Sequence, residues 1–272
     1  MEASLAEKYF KLKKCLGDMG SAVVAFSGGV DSTLLLAVGK EALGNGVLAV
    51  TVDSPLHPRA LMESATTMAA RIKAEHIVIK MDELTDKNFV SNPAERCYLC
   101  KHARFSDLIE LANHRGISEV LDGTQMEDTG DYRPGTEAAR ELSIRSPLLE
   151  VEFYKFEVRA LSRELGLATW NMPPGSCLAT RVPYGEKITR EKLAVIDEGE
   201  QFLEGLGLKD VRLRFIEGGT ARIEVSQAGV PVLASDGVRE RVLAKMKSLG
   251  FTYVTLDLAG YRMGALNEAL ER

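Results

Sequence analysis

Short apolar runs alternate with amphipathic stretches between residues 21 and 166 of this 272-residue chain. Runs such as SAVVAF, GVLAVTVDS, AEHIVIKM and SEVLDGT are rich in β-branched residues and predict strands, and SIRSPLLEV is assigned as a further strand. The stretches between them, such as TLLLAVGKEAL, carry apolar residues at helical spacing. This alternation predicts an α/β fold, with a parallel twisted sheet and helices on both of its faces.

The pattern changes after a loop rich in proline and glycine, NMPPGSCLATRVPYGEK. Beyond this loop it predicts a helix, two adjacent strands, a second helix and a last strand, which is typical of a small α+β domain. We therefore predict one domain over residues 1–185 and a second, smaller domain over residues 186–272.

Charge and hydropathy narrow the class of protein. The net charge of −5 and the pI of about 5.6 lack the electrostatic signature of a non-specific nucleic-acid binder. The mean hydropathy of −0.06 is that of an ordinary globular protein. The N-terminus is mixed in charge, and no run approaches the ~18 apolar residues of a membrane span. We expect a cytoplasmic protein without a membrane partner.

The segment SGGVDS, residues 27–32, lies between the first predicted strand and the first predicted helix of the sheet. Glycines let a ligand approach backbone N–H groups closely, and a helix N-terminus carries a partial positive charge, so this loop is suited to a phosphate chain. It lacks the lysine of a Walker A motif. The alternative is a plain helix cap supplied by Ser27 or Asp31.

Polar residues also follow two later predicted strands. Asp53 and Ser54 end one strand, and Gly123 and Thr124 follow another. The carboxyl ends of parallel strands converge on the ligand in doubly wound sheets, so these residues are candidates for the same site. For Asp53, a turn residue without a ligand is the alternative.

Three of the four cysteines have a spacing that suggests a ligand role. Cys97 and Cys100 bracket two residues, and Cys177 lies in the proline-rich loop. Three thiolates suit an iron–sulfur cluster with one open iron, whereas a structural zinc needs a fourth ligand, for which His102 is close by. Three unconnected buried cysteines are the remaining alternative. Cys15 lies beside an apolar helical stripe and is expected to be a packing residue.

The SGGVDS loop resembles the PP-loop of the ATP pyrophosphatase superfamily, which adenylates a substrate and releases pyrophosphate. The resemblance implies that Ser27, Gly28, Gly29 and Ser32 cradle the leaving pyrophosphate, with the catalytic Asp31 near its magnesium ion. It extends the ATP-binding set to three residues at the later strand ends: Asp53, Gly123 and Thr124.

Four motifs narrow the resemblance: SGGVDS, DGTQMEDTGDYRPG, CLATRVPYGEKIT and GYRMGALNE. Together they resemble the LarE-type sulfur transferases, over essentially the whole chain. This resemblance implies adenylation of a carboxylate of pyridinium-3,5-biscarboxylic acid mononucleotide and its conversion to a thiocarboxylate, in the synthesis of the nickel-pincer nucleotide cofactor of lactate racemase. It also implies a small-molecule nucleotide substrate, and family members can form ring-like homo-oligomers.

The resemblance offers two sources of sulfur. In one branch a single cysteine, matching the catalytic Cys177, gives up its own sulfur and becomes dehydroalanine. In another branch three cysteines hold a [4Fe-4S] cluster that carries an extra sulfide. Because Cys97, Cys100 and Cys177 occur together, this chain resembles the cluster branch, which implies turnover.

Arginines of the second predicted domain are candidates for a phosphate site. Arg212 and Arg214 alternate along VRLRF and so face one side of a strand, and Arg181 could join them. The resemblance assigns Glu200, Arg212 and Arg214 to substrate or metal binding. The alternative is a solvated, charged sheet face. Three further residues are expected near the cleft without an assigned role: Lys101, Asp128 and Arg133.

Two other functions are consistent with these features. A PP-loop tRNA thiolase also combines three cysteines with a cluster, although the net charge of −5 disfavours an RNA substrate. A nucleotide-binding protein with a structural zinc would release neither AMP nor pyrophosphate.

Overall fold

The chain is described by a computed structural model, which covers residues 2–129, 134–173, 175–262 and 264–269. It divides into two compact units. The first unit comprises Met1–Ser54, Arg59–Met81 and Glu95–Gly175, and the second comprises Pro55–Pro58, Asp82–Ala94 and Ser176–Arg272. These units are sets of residues that contact one another, and they do not test where independently folding domains begin and end. The predicted domain boundary after residue 185 stays a prediction.

Most of the predicted elements are present in the predicted order, with an exception at SIRSPLLEV. The α-helices of the described residues are α1 Ala3–Gly17, α2 Val30–Leu43, α3 Arg59–Ile72, α4 Lys87–Val90, α5 Arg96–Arg115, α6 Pro134–Glu141, α7 Pro147–Glu150, α8 Lys155–Glu164, α9 Arg190–Gly205, α10 Gly229–Ala234 and α11 Asp236–Ser248. The strands are β1 Ala22–Ala25, β2 Val47–Asp53, β3 Glu75–Lys80, β4 Glu119–Leu121, β5 Arg212–Ile216, β6 Thr220–Glu224 and β7 Tyr253–Leu256.

The first unit contains a parallel sheet in the order β3-β2-β1-β4. Successive residues of β1 point to opposite faces. Val24 packs in one apolar core with Leu35 of α2 and Val158 of α8, whereas Val23 packs in another with Leu108 of α5. Both faces of the sheet are therefore covered by helices, and the predicted α/β class is confirmed.

The segment SIRSPLLEV does not form the strand that we predicted. Only one parallel bridge, between Leu121 and Arg145, extends the sheet there. Pro147 has no N–H to give to a strand ladder, and it instead occupies the first turn of α7, where a missing N–H costs nothing. The apolar residues of the segment, such as Leu148, still reach the core, but from a helical turn.

The second unit is built on a small sheet, β5-β6-β7, in which β5 and β6 are antiparallel and β6 and β7 are parallel. Gly218 and Gly219 turn the chain between β5 and β6 with positive φ angles, as the predicted EGGT connection requires. Leu203 of α9, Leu213 of β5 and Met246 of α11 form its buried core. The predicted α+β character of this part of the chain is confirmed.

The second unit also takes up two earlier segments that the sequence pattern did not assign to it. The backbone N–H of Leu178 donates to the carbonyl of Leu56 at 2.8 Å, and that of Ile188 donates to Val90 at 3.0 Å. The buried Asn92 donates its side-chain N–H groups to the carbonyls of Val182 and Pro183.

Along the described ranges, no helix is long and apolar enough to cross a membrane.

Replacing a fully buried core residue should destabilise the first unit far more than replacing an exposed neighbour. Phe153 is fully buried, whereas Phe156 of α8 is 68% exposed. We expect Phe153→Ala to lower the free energy of unfolding by about 3–5 kcal/mol, because a large cavity remains. Phe156→Ala should change it by less than ~1 kcal/mol. Urea denaturation of both variants checks this, and equal losses would contradict the packing described.

Candidate functional site

The segment SGGVDS, residues 27–32, which we call the glycine loop, extends from the carboxyl end of β1 into the start of α2. Gly28 has a φ of +73°, and a Cβ atom there would lie 2.5 Å from the backbone nitrogen of Ala65 in α3. The Ser64 hydroxyl donates to the Gly28 carbonyl at 3.0 Å. Only glycine fits this position, because both the backbone angle and the contact with α3 exclude a side chain.

The start of α2 leaves backbone donors for an anion. Gly29 is the capping residue, with no side chain, so the proposed cap by Ser27 or Asp31 is wrong. The Ser27 and Ser32 hydroxyls lie 3.1 Å apart and face each other across the loop. The first N–H groups of a helix have no partner within it, and they carry the positive end of the helix dipole. This geometry is consistent with anion binding, and the predicted binding of pyrophosphate by Ser27, Gly28, Gly29 and Ser32 stays a prediction.

Asp31 places a carboxylate in this loop. Its Oδ2 atom accepts from the Lys155 ammonium of α8 at 2.5 Å. Its Oδ1 atom is buried and has no hydrogen-bond partner among the residues that the structure describes. A buried carboxylate oxygen without a donor is suited to a hard cation, so Asp31 fits the predicted magnesium ion.

Gly123 lies beside the loop and is followed by Thr124, and the part of both residues in ATP binding stays a prediction. A Cβ atom on Gly123 would lie 3.1 Å from the Cβ of Asp31 and 3.2 Å from the nitrogen of Ser32. The Thr124 hydroxyl donates to the buried carboxylate of Asp122 at 2.6 Å, and the same carboxylate also accepts from the Ser146 hydroxyl. Asp122 was missed, although its place directly after a buried strand is the same signal that singled out Asp53.

Asp53 ends β2, one strand away from the loop. Its carbonyl accepts from the backbone N–H of Met81, and the next residue, Ser54, is buried and accepts from Arg104 at 3.4 Å. These contacts do not distinguish whether the Asp53 carboxylate binds ATP or belongs to a turn without a ligand. Its part in ATP binding stays a prediction.

A hydrogen-bonded chain supports the loop from behind. The Thr51 hydroxyl donates to the carbonyl of Phe26 at 2.7 Å, directly before Ser27. That hydroxyl has one proton, so it accepts from His76 Nε2 at 2.8 Å, which assigns the proton to Nε2. The His76 ring lies edge-on to Phe26, and burial lowers its pKa. This role of His76 was not predicted from the sequence.

The cysteines lie in different units. Cys97 is exposed and Cys100 partly buried, one turn apart at the start of α5 in the first unit, whereas Cys177 belongs to the second unit. Within the described ranges, no group of three or more His, Cys, Asp or Glu side chains is arranged to hold a metal ion. Neither unit alone therefore supplies the predicted three-thiolate set, and His102 completes no zinc site there. The cluster stays a prediction.

Cys15 is a packing residue, as expected. It contacts the core of the first unit beside Leu12 and Leu16. Burial raises the pKa of its thiol, and the nearby Glu150 carboxylate raises it further. A raised pKa disfavours the reactive thiolate form, which argues against a role for Cys15 in sulfur transfer.

In the second unit, Arg181 holds the backbone around Cys177. Its guanidinium makes a two-point pair with the buried Glu200 carboxylate, at 2.9 and 2.8 Å. The Nη1 atom donates to the carbonyls of Ser176 and Cys177 at 3.1 Å each, and to the hydroxyl of Thr180 at 2.9 Å. Arg181 therefore anchors the backbone of the cysteine loop, and its predicted part in a phosphate site with Arg212 and Arg214 stays a prediction.

Arg214 makes a second buried pair of the same kind. It contacts Glu224 through two hydrogen bonds of 2.9 and 2.8 Å and donates to the Thr180 carbonyl at 2.6 Å. Arg212 packs over the Tyr261 ring, 4.6 Å from its centroid. Arg212 and Arg214 are only 7% and 5% exposed, so the alternative of a solvated sheet face is wrong.

Burial lowers the pKa of Arg212, and the positive charge of Arg181 lowers it further. The Glu224 carboxylate also accepts from Arg222, whose Nε atom is buried without a hydrogen-bond partner among the described residues. Glu224, Arg222 and Tyr261 were missed. The alternation of charge along β6, opposite the arginines of β5, could have indicated the first two.

The three residues expected near the cleft have different outcomes. The Lys101 side chain packs against Gly135, and its ammonium lies 5.8 Å from the Phe105 ring centroid. Asp128 Oδ2 accepts from the backbone N–H of Gln125 at 3.0 Å. Arg133 lies outside the described residues.

A side chain at residue 28 should disable the loop. We expect Gly28→Ala to cost about 1–3 kcal/mol through backbone strain alone, and the contact with Ala65 adds to it. ATP affinity should fall by about tenfold or more. Isothermal titration of ATP, together with thermal unfolding, checks this. Gly17→Ala is the control, because no atom lies within 4 Å of the added Cβ; unchanged ATP affinity in Gly28→Ala would refute the fit.

The lowered pKa of His76 gives a pH dependence of known sign. At pH values below about 6.5, an unfolded chain takes up a proton on this residue while the folded chain does not. Stability is thus lost as the pH falls from about 6.5 towards the folded pKa. His76→Gln should make the unfolding free energy less pH-dependent over this range, because glutamine does not titrate. The glutamine side chain can still donate to Thr51, so this hydrogen bond is kept. Parallel curves for both proteins would contradict it, as would an NMR titration midpoint of His76 above 6.5.

Comparisons with known proteins agree with this geometry. The pattern of the queuosine biosynthesis protein QueC family matches residues 21–95, which contain the glycine loop and β1–β3. A pyridinium-3,5-bisthiocarboxylic acid mononucleotide synthase from Lactiplantibacillus plantarum is 38% identical over 271 residues, covering 99% of this chain and 97% of that protein.

Two further relatives match over nearly their full length, and neither has an assigned function. A protein from Synechocystis is 39% identical, covering 98% of this chain and 100% of that protein, and one from Methanocaldococcus jannaschii is 30% identical, covering 96% of each. Similarity of this degree over both units, together with the glycine loop at the end of β1, assigns the chain to the LarE-type sulfur transferases, the family of pyridinium-3,5-bisthiocarboxylic acid mononucleotide synthases.

Proposed function

We propose that the chain is an ATP-dependent sulfur transferase that adenylates a carboxylate of pyridinium-3,5-biscarboxylic acid mononucleotide and converts it to a thiocarboxylate, in nickel-pincer nucleotide synthesis. The observation that carries this proposal is the 38% identity to the synthase of Lactiplantibacillus plantarum over nearly the whole of both chains. The glycine loop, together with the backbone N–H groups at the start of α2, supports the ATP-dependent step.

In the first step a substrate carboxylate oxygen attacks the α-phosphorus of ATP. The bond from that phosphorus to the β-bridging oxygen breaks, and pyrophosphate leaves with the released electron pair. Backbone N–H groups at the start of α2 and the hydroxyls of Ser27 and Ser32 stabilise the leaving charge. Asp31 would hold the magnesium ion, which when bound would neutralise phosphate charge.

In the second step sulfur attacks the carbonyl of the acyl-adenylate, and the C–O bond to AMP breaks. We propose, as the cysteine set implies, that Cys97, Cys100 and Cys177 hold a [4Fe-4S] cluster, which when bound supplies a sulfide. The alternative uses Cys177 itself: its thioester forms, the Cβ–S bond then breaks with loss of the α-proton, and dehydroalanine remains.

The second unit supports a site for the substrate phosphate. Arg212 is buried, and the charge of Arg181 lowers its pKa further, so an anion at this place would be stabilised. Glu200 and Arg214 contribute indirectly, because their buried pairs fix Arg181 and the Thr180 carbonyl. Arg181, Glu200 and Arg214 are therefore positioning residues in this proposal, and Arg212 is the phosphate ligand.

The test combines substrate turnover with analysis of sulfur. Anaerobically purified protein is given ATP, magnesium and the dicarboxylate mononucleotide, and AMP, pyrophosphate and thiocarboxylate are quantified. We expect the three products in equal amounts. Cys177→Ala should release pyrophosphate without forming thiocarboxylate, and Cys15→Ala, the matched control, should behave as the unchanged protein. Absence of nucleotide cleavage with this substrate would refute the proposal.

The same preparations distinguish the two sources of sulfur. The cluster proposal predicts iron and sulfide in the purified protein that disappear in Cys97→Ala and Cys100→Ala, together with the product. An iron-free protein that makes one product per chain, and whose intact mass falls by one hydrogen sulfide, would establish the sacrificial route and remove the proposed role of Cys97 and Cys100. Bulk tRNA is included as a competing substrate and should remain unmodified.

A further inference from the structure

The ion pair between Asp31 and Lys155 presents a problem for nucleotide binding. Asp31 is the second residue of α2, inside the loop that the proposed function assigns to pyrophosphate. A carboxylate there repels a phosphate chain unless a cation compensates it. In the structure that cation is Lys155, whose ammonium lies 2.5 Å from Oδ2, and both side chains are about 30% exposed. The ammonium therefore lies next to the place where phosphate charge must be accommodated.

Lys155 is held in place by its own backbone. It is the first residue of α8, and its N–H donates to the Glu127 carboxylate at 2.6 Å. Glu127 is tied by its N–H to the Gln125 side chain, and the N–H of Met126 donates to the carbonyl of Phe153. Gly123, two residues before Gln125, contacts Asp31 and Ser32. The segment after β4 thus connects the start of α8 to the glycine loop.

The geometry of the pair allows magnesium to replace the Lys155 ammonium as the counter-ion of Asp31. Oδ1 of Asp31 is buried without a hydrogen-bond partner among the described residues, whereas Oδ2 holds Lys155. When magnesium binds the carboxylate, Asp31 no longer needs the ammonium as its counter-ion. Lysine has a flexible four-carbon side chain with three donors, so its ammonium can move to a phosphate oxygen nearby.

We propose that Lys155 is a further residue of the nucleotide site: it neutralises Asp31 in the nucleotide-free protein and donates to the terminal phosphates of ATP when magnesium-ATP binds. This inference rests on the proposed function only for the use of ATP, not for the sulfur acceptor. During adenylation the pyrophosphate gains charge as its bond to the α-phosphorus breaks, and the Lys155 ammonium stabilises that charge.

Binding measurements test the proposal without turnover. Dissociation constants for magnesium-ATP and for AMP are measured by titration calorimetry on the full chain and on Lys155→Gln and Lys155→Arg. We expect Lys155→Gln to weaken magnesium-ATP binding by about tenfold, with Lys155→Arg retaining most of the affinity. AMP lacks the terminal phosphates, so its affinity should change by less than about threefold. Unchanged magnesium-ATP affinity in Lys155→Gln would overturn the proposal.

Lys8→Gln is the matched control. Lys8 also forms an ion pair with α8, through Glu157 at 2.7 Å, but does not contact the glycine loop in the described residues. Its removal should leave both affinities unchanged. Thermal unfolding of the ligand-free variants detects misfolding. If Lys155→Gln is unfolded, the magnesium-ATP affinity of Lys155→Met is compared with those of Lys155→Arg and Lys8→Gln, and a loss confined to Lys155→Met supports the proposal.

A double variant separates phosphate binding from simple neutralisation. If Lys155 only compensated Asp31, then removing it in an Asp31→Asn background would leave magnesium-ATP affinity at the value of Asp31→Asn alone, and the proposed phosphate contact would be wrong. We expect the double variant Asp31→Asn/Lys155→Gln to bind magnesium-ATP more weakly than Asp31→Asn. Failure of the proposed function has a different signature, because a chain that binds ATP in this way but forms no thiocarboxylate would refute the sulfur-transfer step alone.

Discussion

The contact between Gly28 and Ala65 brings two backbones closer than any side chain permits. It joins the end of β1 to α3, and the Ser64 hydroxyl reinforces it by donating to the Gly28 carbonyl. The rest of the nucleotide site depends on this contact, because it sets the direction in which the loop enters α2. Once the loop has this shape, Ser27 and Ser32 face each other and the first N–H groups of α2 are left for an anion.

Charge is handled differently in the second unit. Two arginine–carboxylate pairs, Arg181–Glu200 and Arg214–Glu224, are almost fully buried. Buried ion pairs contribute little net stability, since desolvation offsets much of the attraction. Their evident effect is geometric. Each guanidinium also donates to a backbone carbonyl, of Cys177 or Thr180, so the pairs fix the cysteine loop in one conformation.

Local pattern allowed most of the first unit to be predicted from sequence, because strand periodicity, helical spacing and the glycine loop are short-range signals. The exception, around Pro147, has a local cause that a proline in a proposed strand should have indicated. Candidate site residues could be named from sequence where they belong to a motif, as at Ser27, Gly123 and Arg212, and their roles stay predictions. Lys155 and His76 were missed because they reach Asp31 and Thr51 from distant parts of the sequence, and only the folded chain brings those side chains together. Glu224 was missed although its partners Arg214 and Arg222 are close to it in sequence.

The hydrogen bonds around Cys177 use its carbonyl oxygen, which accepts from Arg181 and from the Thr180 hydroxyl. These bonds make no demand on the sulfur atom. A chain whose sulfur had been oxidised or given up would therefore keep the same backbone anchors. Damage or consumption at the sulfur would leave the loop tied to Arg181 and Thr180 through its backbone carbonyl.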